Sequence, residues 1–94
     1  MSRESQRYVR SRAVLFRRCG REVLLALPDQ PDFRSLSETA GDVWGLLEQP
    51  RTTRELAEVL ADRYGETPEA VALGVDDLIE ELARLQAIVV VSDR

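Results

Sequence analysis

The sequence predicts an α+β fold in which a three-stranded antiparallel sheet packs on a three-helix bundle. Three observations predict it. Apolar and polar residues alternate with a period of two through the first third of the chain, the apolar period becomes helical after Ser37, and capping signals precede two of the helical segments. With 94 residues, the chain is long enough for one such domain.

The first third of the chain predicts three strands. Alternation runs through residues 8–17, a turn signal follows at Cys19-Gly20, and alternation resumes through residues 22–27. This pattern is typical of a β-hairpin. Residues 28–32 contain two prolines and two aspartates and predict a loop. We expect residues 33–36 to form the third strand.

The first helix is predicted between Ser37 and Pro50. Serine is a favoured N-cap, and proline ends a helix because it lacks the backbone N–H. The apolar residues between them recur at helical spacing, which predicts one buried stripe of Ala40, Val43, Trp44 and Leu47. We therefore expect Trp44 to be a core residue and not a binding anchor.

Two further helices are predicted from their ends. Residues 52–55, Thr-Thr-Arg-Glu, form a capping box for the second helix, and Gly65 fits its C-cap. Thr67 followed by proline begins the third helix, which we expect to run to about residue 86. Residues 87–91 predict a short apolar strand. Three helices beside a small sheet make the predicted fold winged-helix-like.

The composition lacks the commonest catalytic groups. The chain has no histidine and no lysine, so a general-base histidine, a Schiff-base lysine and P-loop chemistry are missing. Cys19 has no histidine to activate it. No metal-ligand spacing and no glycine-rich phosphate loop occurs. We expect a non-catalytic binding protein without a cofactor or metal.

The sequence also predicts where the protein acts. No apolar run approaches the ~18 residues of a membrane span, and no signal-peptide core follows the N-terminus. A single cysteine agrees with a reducing compartment. We expect a cytoplasmic protein without membrane contact, in which residues 1–7 are a flexible basic tail and residues 8–94 form the domain.

Charge is unevenly distributed along the chain. Residues 1–21 hold seven of the thirteen basic residues, all arginine, and one acid, Glu4. Residues 22–94 hold the other six arginines and sixteen acids. A basic arm can bind nucleic acid, but the acidic remainder would repel phosphate. We expect no nucleic-acid partner.

The third helix carries two neighbouring stripes. The first is apolar and is the expected core face: Val71, Val75, Leu78, Leu82 and Leu85. The second mixes small, apolar and acidic residues: Ala72, Asp76, Ile79, Ala83 and Gln86. The second stripe is either the border of a wide core face or one wall of a ligand groove.

The third strand is the expected edge of the sheet. Proline and aspartate precede it, which is the usual protection of an edge against unwanted pairing. The alternative is that an extended peptide adds to this edge, with backbone hydrogen bonds for affinity and side-chain pockets for specificity.

Residues 36–48, Leu-Ser-Glu-Thr-Ala-Gly-Asp-Val-Trp-Gly-Leu-Leu-Glu, resemble the Leu-Asn-x-Thr-Ala-x-x-Ile-Trp-x-Leu-Leu stretch of the family of PqqD-like proteins. Residues 53–64 and 75–82 resemble its next two helices, and residues 88–90 its apolar tail. Ser37 stands where the family usually has asparagine, and Ala87-Ile88 where it usually has Gly-Leu.

The resemblance implies a RiPP recognition element, a peptide chaperone for ribosomally made and modified peptides. Such a domain binds the leader of a precursor peptide as an extra strand on the third strand, against the third helix, and delivers the precursor to tailoring enzymes. The peptide-binding residues expected here are Asp32, Phe33, Arg34, Ser35, Leu36, Ala72, Val75, Asp76, Ile79 and Ala83.

The resemblance leaves the pathway open. We favour a lasso-peptide pathway, in which the partners are a leader peptidase and a cyclase; the alternative is pyrroloquinoline quinone synthesis. A winged-helix DNA-binding regulator is the rival class, but it would need a basic recognition helix. We expect a monomer or weak dimer.

Overall fold

A computed structural model describes residues 6–91, and within them the chain forms three helices and five strands. The helices are α1 (Thr39–Leu46), α2 (Thr53–Tyr64) and α3 (Pro68–Arg84). The strands are β1 (Arg7–Arg10), β2 (Leu15–Cys19), β3 (Glu22–Ala26), β4 (Phe33–Ser37) and β5 (Ile88–Val91). The predicted α+β class, with a three-stranded antiparallel sheet and three helices, is confirmed.

The three-stranded sheet has the order β2-β3-β4, with both pairs antiparallel. A two-residue turn joins β2 to β3, and its first residue, Gly20, has a φ of +64° that glycine adopts without strain. Val23 and Leu25 of the central strand are fully buried against the helices. The predicted hairpin is therefore present, with its turn at the predicted glycine.

The predicted first strand is wrong in one respect, because residues 8–17 form two strands and not one. The chain turns after Ser11, whose hydroxyl accepts a hydrogen bond from the Ala13 N–H. β1 leaves the larger sheet and pairs antiparallel with β5. The turn contains neither glycine nor proline, and the alternation of apolar and polar residues continues through it. The sequence therefore has no signal that marks this turn. Arg7 also belongs to β1, and residues 1–5 of the expected tail lie outside the described residues.

The start of α1 differs from the prediction as well. Ser37 is not the N-cap; it is the last residue of β4, and Glu38 takes the cap position with a φ of 53° and without a side-chain cap. The chain thus passes directly from strand to helix. A β-carbon on Gly41 would lie 3.0 Å from the Arg21 carbonyl oxygen, so glycine lets α1 approach the hairpin.

The caps of the other helices agree with the sequence. Both hydrogen bonds of the Thr52–Glu55 capping box form, each from the backbone N–H of one residue to the side chain of the other. Gly65 ends α2 in the left-handed conformation. Thr67 caps α3, and Pro68 is its first residue. α3 ends two residues before the predicted position 86, where Gln86, with a φ of 60°, redirects the chain into β5.

One core joins the sheet to the helices. Trp44 is fully buried, which confirms it as a core residue. The other large, fully buried side chains are leucines and valines of β3, of the three helices and of the C-cap of α1: Val23, Leu25, Val43, Leu47, Leu56, Leu60 and Leu82. Each such side chain contributes about 1.5–3 kcal/mol by leaving water.

A polar cluster joins the hairpin turn to α1 and α2 at the surface. Tyr64 donates a hydrogen bond to Asp42 at 2.5 Å and accepts one from Arg21 at 2.7 Å. Arg63 lies 3.4 Å from the same carboxylate. These contacts orient the hairpin on the helices.

Candidate peptide-binding site

β4 is one edge of the three-stranded sheet, and its outward backbone groups can be assigned from the ladder. The Glu38 N–H donates to the Arg21 carbonyl at 3.3 Å, which marks position 38 as bonded to the β3 side. Hydrogen bonding alternates along an antiparallel strand, so Arg34 and Leu36 also bond to β3. The N–H and C=O groups of Phe33, Ser35 and Ser37 therefore face away from β3, toward the open edge.

α3 lies along this edge. The Arg34 guanidinium forms an ion pair with the Glu81 carboxylate in the second half of α3. Both side chains are partly exposed, so the pair contributes less than about 1 kcal/mol to stability, but it locates α3 beside β4. The first half of α3 faces the start of α1, which follows β4, across a cavity. α3 thus runs antiparallel to β4.

A mainly apolar cavity of about 370 Å³ opens between the first half of α3 and the start of α1. Its α3 wall includes Val71, Gly74, Val75 and Leu78. Nothing lies within 4 Å of the position that a β-carbon on Gly74 would take, so this wall has room beside the helix. We call the cavity, the open edge of β4 and the Arg34–Glu81 pair the edge groove.

The structure brings together the predicted strand residues but not the predicted helix residues. Asp32, Phe33, Arg34 and Ser35 are exposed along the edge, whereas the side chain of Leu36 is buried in the core. On α3, Val75 alone among the predicted residues lines the cavity of the edge groove.

The other four helix residues are placed elsewhere. Ile79 is 3% exposed and belongs to the core, as does Val75 at 2%, although both were expected from the sequence to contact the peptide. Ala72 and Asp76 line a different cavity, beside the first turn of α2. Ala83 lines a third cavity, near the loop after β3. The structure therefore does not bring these four residues together in one cavity, and their part in peptide binding stays a prediction.

The third helix is present as predicted, but its rotation relative to the sheet differs from the prediction. Val71 and Leu78 were expected in the core, yet both are partly buried and line the edge groove. α3 is apolar over a wide arc of its surface. The spacing of residues along a helix gives the angles between their side chains, but it does not determine which side of the helix packs against the sheet. Gly74, a glycine in mid-helix, was the available signal for this wall.

Among residues 6–91, no group of three or more histidine, cysteine or acidic side chains is arranged to hold a metal ion. In the same part of the chain, no helix is long and apolar enough to cross a membrane.

Comparison with known families decides what kind of protein has this site. A family model described as coenzyme PQQ synthesis protein D (PqqD) matches residues 22–88, more than half of the chain. The chain belongs to the PqqD family. The matched residues run from β3 to the start of β5 and include both walls of the edge groove, β4 and α3. No curated protein and no solved structure matched the chain.

PqqD-family proteins bind the precursors of ribosomally made, modified peptides and act as peptide chaperones. Membership therefore supports precursor-peptide binding as the general function of this chain. The resemblance found in residues 36–48 of the sequence is confirmed by the same match.

Proposed function

We propose that the protein binds the leader segment of a precursor peptide in the edge groove and presents the precursor to tailoring enzymes. One observation carries the proposal: in a chain of the PqqD family, the Arg34–Glu81 ion pair joins an exposed edge strand to a helix whose first half lines an apolar cavity. An edge strand offers backbone hydrogen bonds to any extended peptide, and the neighbouring cavity can select its side chains.

The leader would lie antiparallel to β4. Its backbone would bond to Phe33, Ser35 and Ser37, the three residues whose backbone groups face the open edge. Apolar leader side chains would enter the cavity beside Val71, Gly74 and Leu78. The backbone contacts tolerate many sequences, so the cavity determines specificity.

The protein is proposed to act without catalysing a reaction, in the cytoplasm where precursors are made. The absence of histidine and lysine from the sequence supports this role. We propose a lasso-peptide pathway, in which a leader peptidase and a cyclase act on the bound precursor. Pyrroloquinoline quinone synthesis is the second candidate, favoured by the description of the matched family model.

DNA binding through a winged helix is disfavoured by the charge of α3. The helix carries five acidic residues, which are Glu69, Asp76, Asp77, Glu80 and Glu81, and one arginine, Arg84. A recognition helix with this charge would be repelled by phosphate.

Titration of the purified protein with a labelled leader peptide and with duplex DNA at physiological salt tests the proposal. We expect saturable binding of the leader and no comparable binding of DNA. Steeply salt-dependent DNA binding, with none to leaders of either pathway, would exclude it. Comparing leaders from lasso-peptide precursors with the quinone precursor separates the two pathways.

A further inference from the structure

The three-stranded sheet has a second open edge, β2, which lies outside the residues matched by the family model. All five residues of β2 are exposed. Cys19 pairs with Glu22 across the two-residue turn, so the odd-numbered residues of β2 bond to β3. The backbone N–H and C=O groups of Phe16 and Arg18 therefore face away from the sheet.

A cavity of about 510 Å³ lies beside this edge. The Arg10 guanidinium lies 4.6 Å from the centre of the Phe16 ring and 5.6 Å from that of Trp44. Arg12 also lines the cavity, and Glu48 is its one acidic residue. Trp44 lines it too, and within residues 6–91 its buried Nε1–H has no hydrogen-bond acceptor. The lining of the cavity thus carries a net positive charge.

The basic residues around this edge are not neutralised by their neighbours. Within residues 6–91, no carboxylate forms an ion pair with the arginines of the cavity or of β2, which are Arg10, Arg12, Arg17 and Arg18. The Arg18 guanidinium extends over α1, where its Nη2 would lie 3.2 Å from a β-carbon on Gly45. Carboxylates of a partner protein would form ion pairs with these arginines.

We propose that β2 and its cavity bind an acidic, extended segment of a partner protein. The segment would add to the sheet through the backbone groups of Phe16 and Arg18. One of its carboxylates would enter the cavity and pair with Arg10 and Arg12. An acidic segment is disfavoured at the opposite edge, because β4 lies beside the acidic helix α3. Identification of the partner as the enzyme that modifies the precursor rests on the proposed function.

This arrangement gives the two edges of one sheet two different partners. The leader would occupy β4 and the enzyme segment β2, with β3 between them. The two peptides would lie on the same small sheet, which brings the enzyme close to its substrate.

Trp44 is the only tryptophan in the chain, so its fluorescence reports on the cavity. The probe is a capped five-residue peptide of alternating valine and glutamate, and the control peptide has lysine in place of glutamate. We expect the acidic peptide to change the emission saturably and the basic peptide to leave it unchanged. An acidic peptide that produces neither a change in emission nor heat on calorimetric titration would overturn the proposal.

Three variants test the β2 site separately from the β4 site. Arg18→Pro removes an outward N–H and should weaken the acidic peptide about fivefold or more. Arg12→Glu changes the charge of the cavity without changing β2, and it should weaken binding of the acidic peptide about tenfold. Ser35→Pro, on β4, is the matched control and should keep acidic-peptide binding while losing leader binding. Parental affinity in both Arg18→Pro and Arg12→Glu would refute the β2 site without affecting the proposal for β4.

Discussion

Gly74 is the residue on which the apolar wall of the edge groove most depends. It lies in the middle of α3, where glycine costs about 1 kcal/mol relative to alanine, and space remains open beside it. The space that would receive a leader side chain in the proposed complex also leaves room for a substituted residue. Stability and binding should therefore respond differently to substitutions here.

Gly74→Trp should fold and weaken leader binding at least tenfold, or about 1.4 kcal/mol, because the indole would fill the groove. Gly74→Ala should raise the free energy of unfolding by about 0.5–1 kcal/mol. Fluorescence polarisation with a labelled leader and urea denaturation measure the two effects. Ala83→Trp is the matched control, because Ala83 lines another cavity. Equal losses in both tryptophan variants would argue against this groove.

Gly41 acts on stability instead. Its missing side chain allows α1 to approach two backbone carbonyls, those of Arg21 at 3.0 Å and Leu36 at 3.4 Å from a hypothetical β-carbon. Backbone atoms cannot move aside as the end of a side chain can.

Gly41→Val should lower the free energy of unfolding by about 2 kcal/mol, because the branched side chain would separate α1 from the hairpin. Chemical denaturation measures the loss. Gly45→Ala is the control, since its β-carbon meets only the mobile end of Arg18 and should change stability by less than about 1 kcal/mol. A Gly41→Val protein as stable as the parent would contradict the close approach.

At the scale of elements, β4 has two sets of backbone groups with separate tasks. Arg34 and Leu36 hold the strand to β3, and Ser35 with its odd-numbered neighbours faces the groove. Proline removes one N–H at a time, so it can test the two sets separately.

Ser35→Pro should retain the fold and reduce leader affinity about tenfold or more, because it removes an N–H from the open edge. Arg34→Pro should instead destabilise the sheet, since it removes a bond to β3 and the ion pair with Glu81. Circular dichroism and leader titration distinguish the two. Full leader affinity in a folded Ser35→Pro protein would show that the leader does not add to β4.

At the scale of the whole molecule, the two ends of the described chain form one small sheet. β1 pairs with β5, and Tyr8 of β1 also exchanges two backbone hydrogen bonds with Arg51 between α1 and α2. Ile88 of β5 is buried in the common core. This second sheet therefore connects the loop between α1 and α2 to the strand that follows α3.

Truncation after Ala87 should lower the free energy of unfolding by at least about 2 kcal/mol, because Ile88 leaves the core and β1 loses its partner. Thermal and urea denaturation measure the loss. Truncation after Val91 keeps all the described strands and is the control. Equal stability of the two truncated proteins would mean that the β1–β5 sheet contributes little.

The sequence by itself determined the elements whose ends are marked by local chemistry. The capping box at Thr52, the caps at Gly65 and Thr67 and the hairpin turn at Gly20 all depend on neighbours a few residues away. It also determined the edge strand, the buried Trp44 and the family, because these depend on residue types and their order.

Only the tertiary structure decided how the elements meet. It separated β1 from β2, moved the cap of α1 from Ser37 to Glu38, and buried Ile79 while leaving Gly74 beside the groove. Each of these outcomes depends on contacts between residues far apart in the chain. Periodicity gives the spacing of side chains within a helix or strand, but packing against the rest of the molecule determines which side becomes the core.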